Sequence, residues 1–224
     1  MKLIVVIPAF QEEASIGQVV KELLPLVDQV VVVDDSSTDR TAVVAAAAGA
    51  TVLHHIINRG YGAALTTGSD YAVTQGADLI AHFDADGQFD PTDLPVLVKT
   101  LQNAKAQVAL GSRFKGQALN MPWLRRLTLK LAIIFTWLVS GIRLTDAHNG
   151  FRLFTQEAWR MMNLRQDRMA FSSEVIDEIK RWRLPWVEVP VTVRYTNYSL
   201  KNSKQGSWPA LKIVKDLFLG RLIR

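Results

Sequence analysis

The sequence predicts an α/β fold built on a mostly parallel central sheet with helices on both faces. Short runs rich in Val and Ile recur through the first half, helical segments separate them, and the runs are apolar at nearly every position rather than at alternate ones. Strands apolar on both sides must be covered on both sides, and parallel neighbours need a crossover between them, most simply a helix. The strand runs are 3–7, 30–33, 51–56, 79–83 and 108–110. Between them lie helical segments at 15–24, 41–48, 62–74 and 91–101, the last opened by Asp90 as a cap and Pro91 in the first turn. In the second half, 123–139 reads as a mainly apolar helix with Arg125, Arg126 and Lys130 near its start. A strand at 151–154, helices at 156–162 and 173–183 and a strand at 187–193 follow, then a polar loop over 194–206 and a final helix over 210–222. With no internal repeat, low-complexity run or linker, residues 1–224 read as a single domain.

Composition narrows the chemistry. The chain of 224 residues is 49% hydrophobic and 21% charged, enough to bury a core. It has no cysteine, which excludes disulfides, zinc–thiolate sites, iron–sulfur clusters and cysteine nucleophiles. The apolar run after Lys2 is stopped by Pro8, unlike a signal peptide, and the longest apolar stretch, 131–142, is too short to span a bilayer. These features predict a reduced, cytoplasmic protein. The net charge of +5 is divided unevenly: residues 1–112 carry 6 Lys/Arg against 13 Asp/Glu, and residues 113–224 carry 20 against 8. An acidic half can hold a metal, and a basic half can face phosphates or an anionic surface, or simply form a solvated face.

In parallel sheets function sits at the carboxyl ends of the strands, and the polar clusters fall there. Asp84-Ala85-Asp86-Gly87-Gln88 directly follows the run 79–83. Two carboxylates and an amide oxygen are hard ligands suited to Mg²⁺ or Mn²⁺, with the remaining positions left to water and substrate phosphate. A bare turn with a helix cap is the plainer reading of the same residues. Asp34-Asp35-Ser36-Ser37-Thr38-Asp39 follows the second strand, where a carboxylate can accept hydrogen bonds from a base or ribose while the hydroxyls cap the next helix. Asn58-Arg59-Gly60-Tyr61-Gly62 precedes a helix, and its glycines would allow close approach to phosphate. Neither a Walker lysine nor a GxGxxG follows the first strand, which excludes both fingerprints.

Taken in order, Pro8-Ala9-Phe10-Gln11-Glu12-Glu13, the Asp34–Asp39 run, Asn58 with Gly60 and Gly62, Asp84-Ala85-Asp86-Gly87-Gln88, Gly111-Ser112-Arg113 and Thr145-Asp146-Ala147-His148-Asn149-Gly150-Phe151-Arg152 closely resemble the family 2 glycosyltransferases of GT-A, Rossmann-like fold. The resemblance is to the branch of dolichol-phosphate mannose synthase and the bacterial polyprenyl-phosphate glycosyltransferases, and it spans nearly the whole chain. It implies a nucleotide-sugar donor such as GDP-mannose or UDP-glucose, a divalent metal and an inverting transfer of a hexose to a polyprenyl phosphate. By position it implies that Pro8, Ala9, Phe10, Glu12, Asp35, Asn58, Gly62, Asp84, Ala85 and Asp86 surround the nucleotide sugar. Asp84, Asp86 and Gln88 would hold the metal, and Arg113 would lie near the donor or acceptor phosphate; with Glu174, read from the residues themselves, Asp86 and Arg113 are the catalytic candidates. Some relatives append transmembrane helices, which this chain does not carry, so a peripheral place at the cytoplasmic membrane face is expected, by direct contact, a separate anchoring partner or a homo-oligomer. Nucleic acid is not among the expected partners.

The acceptor can also be argued from chemistry. A hydroxyl acceptor needs a base to remove its proton, whereas a phosphate monoester is largely ionised already, its second pKa being about 6. A phosphate needs cations to collect it, and Arg113, Arg125, Arg126, Arg194 and Lys204 are the candidates. Glu174 reads either as a base or sugar contact or as an acid near a helix amino end. A hydroxyl acceptor, with Glu174 or Asp146 as base, and a non-catalytic nucleotide-sugar-binding regulator are the rival readings. The helix at 123–139 and the final helix mix aromatic, aliphatic and basic residues as interfacial helices do, although both would also serve as core flanks or dimer contacts.

Overall fold

The computed structural model of the protein describes residues 1–146 and 150–195. Among these residues seven strands form one sheet: β1 (Leu3–Ala9), β2 (Gln29–Asp34), β3 (Thr51–His54), β4 (Leu79–His82), β5 (Val108–Leu119), β6 (Arg152–Thr155) and β7 (Trp186–Arg194). Their order is β3-β2-β1-β4-β6-β5-β7. All neighbours pair parallel except β6, which runs antiparallel between β4 and β5. The helices are α1 (Ile16–Leu23), α2 (Thr41–Ala47), α3 (Tyr61–Thr74), α4 (Leu94–Asn103), α5 (Trp123–Ser140), α6 (Gln156–Met161) and α7 (Phe171–Arg181). Pro91–Asp93 forms a 3-10 turn before α4, and the Asp90 side chain accepts a hydrogen bond from the Thr92 N–H there, as the sequence predicts.

The apolar runs form β1 and β2 because both faces of each are covered. Val5 and Ile7 pack with Ile16, Val19, Val20 and Leu23 of α1 and Leu94 and Leu97 of α4. Ile4 and Val6, pointing the other way, pack with Ala64 and Leu65 of α3, Trp159 of α6 and Phe171, Val175 and Ile179 of α7. Two cores therefore sandwich one sheet. Backbone polar groups find their partners within the ladder, and ionisable side chains concentrate where the strands end.

β5 is much longer than the expected 108–110. Its apolar pattern stops at Leu110 because the buried residues that follow are Gly111, Ser112 and Arg113, and the strand then leaves the core, with Lys115, Gly116 and Gln117 exposed. The ladder continues along β7 to Leu119 across an irregularity between Ser112 and Gln117. A strand with one end beyond the core keeps its hydrogen bonds and loses its hydrophobic signature. The loop expected over 194–206 and the helix over 210–222, Lys204 included, lie outside the described residues apart from Arg194 and Tyr195.

α3 lies close on the sheet because Gly68 faces it. A Cβ there would sit 2.3 Å from Val6 Cγ1 and 2.9 Å from Val33 Cγ2. Helix propensity alone favours alanine over glycine by about 1 kcal/mol. Overpacking works against it, and Gly68→Ala is expected to lose about 1–3 kcal/mol of stability in chemical denaturation. A stabilised variant would contradict this packing.

Candidate active site

Strand order reverses at β1, with β2 and β3 to one side and β4 to the other, which opens a crevice beyond the carboxyl ends of β1 and β4. Asp84 stands two residues past β4, at the mouth of that crevice. Its Oδ1 accepts a hydrogen bond from the Tyr61 hydroxyl at 2.9 Å. A Cβ on Gly150 would fall 2.4 Å from Asp84 Oδ2, so the Gly150 backbone closes the other side of the carboxylate. Asp86 Oδ1 accepts from the Gln88 N–H at 3.0 Å, and Gln88 itself is buried.

The electrostatics follow from this crowding. Burial raises the Asp84 pKa, opposed by the Tyr61 hydrogen bond and by the positive charges of Arg152 and Arg113. Asp86 is pushed up to about 7, first by burial and then by the charge on Asp84, with Glu12 adding to the effect and Arg125 opposing it. Burial and Asp84 together hold the Tyr61 hydroxyl well above its usual range, so it remains a donor. Three acids therefore converge from two strand ends, Glu12 from β1 and Asp84 and Asp86 from β4.

Beside them the loops after β1 and β2 are stitched together. The Gln11 N–H donates to Ser37 Oγ at 3.0 Å and its Nε2 to Thr38 Oγ1 at 2.7 Å. The Glu12 N–H donates to Thr41 Oγ1 at 2.8 Å. Gln11 and Ser36 hold left-handed φ values of 61° and 66°, a local strain that the surrounding hydrogen bonds fix. Ala9 is buried, with Pro8 and Phe10 half-buried on either side, and Ala85 is packed into the core.

Three residues expected around the nucleotide, Asp35, Asn58 and Gly62, have close partners within the protein. Asp35 is buried, and its carboxylate accepts from the Arg59 N–H at 2.9 Å, the Gly60 N–H at 2.7 Å and His55 Nδ1 at 2.7 Å. It braces the 58–60 turn, and Asn58 Nδ2 donates back to the Asp35 carbonyl at 3.1 Å. Gly62 makes room for protein rather than phosphate: a Cβ there would lie 2.1 Å from the Gln166 carbonyl oxygen. The Ala63 N–H already donates to the Asp167 carbonyl at 3.0 Å.

The basic residues also sort differently from expectation. Arg113 is buried at 6% exposure; its Nε donates to Asp146 Oδ2 at 2.6 Å and its Nη1 to the Tyr195 hydroxyl at 2.7 Å. The buried cation is thus held by Asp146 and Tyr195. Asp146 is held in turn with Thr145 by Glu188 of β7, which accepts from both backbone N–H groups. Arg194 is ion-paired with Asp90, at the far end of the Asp84–Gln88 loop. Arg125, over the Tyr195 ring at 5.0 Å, carries its charge toward Asp86, whereas Arg126 is exposed. Glu174 is buried and accepts with Oε2 from the Arg165 and Gln166 N–H groups at 2.9 and 2.8 Å. A carboxylate so engaged is poorly placed to serve as a base.

Three contributors escaped the sequence reading. Arg152 is 2% exposed, donates to Ser172 Oγ at 2.8 Å and acts on Asp84. Its signal was available, because an arginine between Phe151 and Leu153 in a buried strand demands a compensating partner. Tyr61 and Glu188 carried no such signal, since their roles depend on partners 23 and 43 residues away.

The donor set fits Mg²⁺ or Mn²⁺. Asp84 and Asp86 offer hard oxygens in a crevice whose crowded acids a cation would relieve. Among the described residues no group of three or more His, Asp or Glu gathers into a ready cage. Small hard ions commonly use one or two carboxylates and leave the rest to water and substrate phosphate.

Residues 4–161 match the profile of the family described as glycosyl transferase family 2. The chain belongs to that family. An uncharacterized protein of Methanocaldococcus jannaschii is 39% identical to this glycosyltransferase over 204 residues, covering 89% of this chain and 84% of that one. The UDP-N-acetylglucosamine–dolichyl-phosphate N-acetylglucosaminyltransferase of Methanococcus voltae is 35% identical over 153 residues, 66% of this chain. The chain spans 61% of the length of that relative, less than two thirds. Glucosyl-3-phosphoglycerate synthase of Mycobacterium tuberculosis, crystallised with Mn²⁺, UDP-glucose and phosphoglyceric acid, superposes with a TM-score of 0.67 at 21% identity, covering 94% of this chain and 78% of that one. The fold is therefore GT-A, and the enzyme is a family 2 glycosyltransferase related to polyprenyl-phosphate sugar transferases.

The raised pKa of Asp86 fixes the sign of a stability effect in this glycosyltransferase. An acid with a higher pKa folded than unfolded favours the folded state when protonated; that contribution is complete below about pH 4 and lost as pH rises through 7. In EDTA the wild type is expected to lose stability relative to Asp86→Asn between pH 5 and 8. Denaturation curves with a pH-independent or opposite difference would contradict the crowding of these acids.

Proposed function

We propose that the enzyme transfers a hexose from a nucleoside diphosphate sugar, UDP-glucose or GDP-mannose, to a polyprenyl phosphate at the cytoplasmic face of a membrane. The observation that carries the acceptor half is the exposed face of α5. Leu124, Leu127, Leu131, Ile134 and Leu138 are all exposed, Leu131 by 58% and Leu138 by 71%, with Trp123 at 76% at the start. Their spacing makes one continuous stripe about 21 Å long. α5 has no acidic residue, and its exposed Arg126 and Lys130 suit anionic headgroups. The stripe begins next to Arg125, whose charge acts on Asp86. A lipid lying along it would present its phosphate to the crevice. No helix among the described residues is long and apolar enough to cross a membrane.

In this reading Pro8, Ala9, Phe10 and Glu12 frame the nucleoside while Asp35 and Asn58 keep the adjoining turn in place. Asp84, Asp86 and the Gln88 amide oxygen hold Mg²⁺ or Mn²⁺, which when bound supplies charge stabilisation for the departing diphosphate. Arg125 holds the acceptor phosphate in line with the sugar. An ionised phosphate oxygen attacks the anomeric carbon, the bond from that carbon to the diphosphate oxygen breaks, and configuration inverts. No carboxylate base is required, which agrees with the engagement of Glu174 and Asp146 elsewhere.

The test is a matrix of donors (UDP-glucose, GDP-mannose and UDP-N-acetylglucosamine) against a short-chain polyprenyl phosphate, the free polyprenol and 3-phosphoglycerate, with Mn²⁺ or EDTA. Transfer to the lipid phosphate alone, abolished by EDTA, is expected. Transfer to the polyprenol or to 3-phosphoglycerate would move the enzyme to a hydroxyl acceptor, and donor binding without transfer would make it a regulator. A charge-assisted hydrogen bond to phosphate is worth about 1.5–3 kcal/mol, so Arg125→Ala should lower kcat/KM for the acceptor by about ten- to a hundredfold. Donor affinity should change far less in that variant. Unchanged acceptor kinetics would remove Arg125 from the acceptor site.

A further inference from the structure

Glu174 and the α6–α7 connection make a continuous mechanical path to the acid pair. Glu174 Oε2 accepts from the Arg165 and Gln166 N–H groups, which fixes the chain at 165–167. That segment lies across the amino end of α3, where the Asp167 carbonyl accepts from the Ala63 N–H at 3.0 Å. Contact is so close that a Cβ on Gly60 would come within 2.6 Å of the Asp167 oxygen, and one on Gly62 within 2.1 Å of the Gln166 oxygen. Arg59 and Asp167 add an ion pair at 3.7 Å. Between those glycines Tyr61, the first residue of α3, reaches over Phe171 and donates to Asp84 Oδ1.

We propose that Glu174 is a positioning residue for Asp84: it clamps the 165–167 strap onto the amino end of α3 and so sets the Tyr61 hydroxyl that orients the metal-binding carboxylate. This rests on the reading of Asp84 as a metal ligand. The role uses Glu174 as an acceptor of two backbone N–H groups, and a neutral side chain oxygen can do the same. Charge and basicity are dispensable; an oxygen at that point is not. The two glycines belong to the same device, because they let the strap lie flat on the helix end.

The experiment compares wild type with Glu174→Gln, Glu174→Ala, Gly62→Ala and Tyr61→Phe. Mn²⁺ affinity is followed by electron paramagnetic resonance with nucleoside diphosphate present, alongside amide hydrogen exchange at Ala63, Arg165 and Gln166 and transfer kinetics. Glu174→Gln should stay within about threefold of wild type in Mn²⁺ affinity and kcat, with an unchanged pH profile. Glu174→Ala and Gly62→Ala should speed exchange at Ala63 and weaken Mn²⁺ by tenfold or more. Tyr61→Phe should weaken Mn²⁺ equally without loosening the strap, and adding it to Glu174→Ala should bring no further loss, as for residues acting in series. Should Glu174→Ala not fold, Gly62→Ala disturbs the same contact from the other side. Two results overturn the proposal alone: Glu174→Gln as inactive as Glu174→Ala, which marks a base, or a loosened strap with Mn²⁺ affinity intact. Wild type that binds no Mn²⁺ would overturn the metal reading itself, and the proposal with it.

Discussion

The crowding of Asp84, Asp86 and Glu12 at the mouth of β1 and β4 is the constraint around which the rest is arranged. Burial disfavours the charged form, like charges add to it, and Asp86 is raised to about 7 as a result. The fold opposes that repulsion with fixed groups: the Tyr61 hydroxyl on Asp84, the Gln88 N–H on Asp86, and the charges of Arg152 and Arg113 nearby. Arg152 reaches Asp84 only because β6 runs antiparallel between β4 and β5, placing it beside His82 in register. A site built this way is poised for a cation and a phosphate together, since each neutralises what the other brings.

The excess of basic residues in the second half has two destinations. Part of it is paired with buried carboxylates: the buried Arg113 with Asp146, and the exposed Lys115 and Arg181 with Glu188 and Glu178. The first two pairs tie β5 to the 145–146 turn and to β7, and the third lies within α7. Elsewhere among the described residues basic side chains are displayed, most clearly Arg126 and Lys130 among the exposed leucines of α5. A net charge alone does not separate scaffold from binding surface, because the two differ in burial and partners rather than in residue type.

Strands and helices whose periodicity reflects burial were legible in the sequence, from β1 through α7, and so was the convergence of acids at strand ends. What was hidden depended on tertiary contacts. β5 outran its apolar pattern by following β7 beyond the core. Gly60 and Gly62 looked like a phosphate cradle, yet the chain that fills the space beside them lies about a hundred residues later. The backbone N–H groups that Glu174 and Asp35 accept from were equally hidden, because short carboxylate motifs do not reveal such partners.

The central claim is that the acid pair and a nucleoside diphosphate share one divalent ion. Calorimetric titration of UDP and GDP into the protein with Mn²⁺ and with EDTA, repeated on Asp84→Asn, tests it most directly. The account predicts at least tenfold tighter binding of one nucleotide with Mn²⁺ in the wild type and little or no metal dependence in Asp84→Asn. Equal affinity with and without the ion, or an undiminished metal effect in Asp84→Asn, would contradict it.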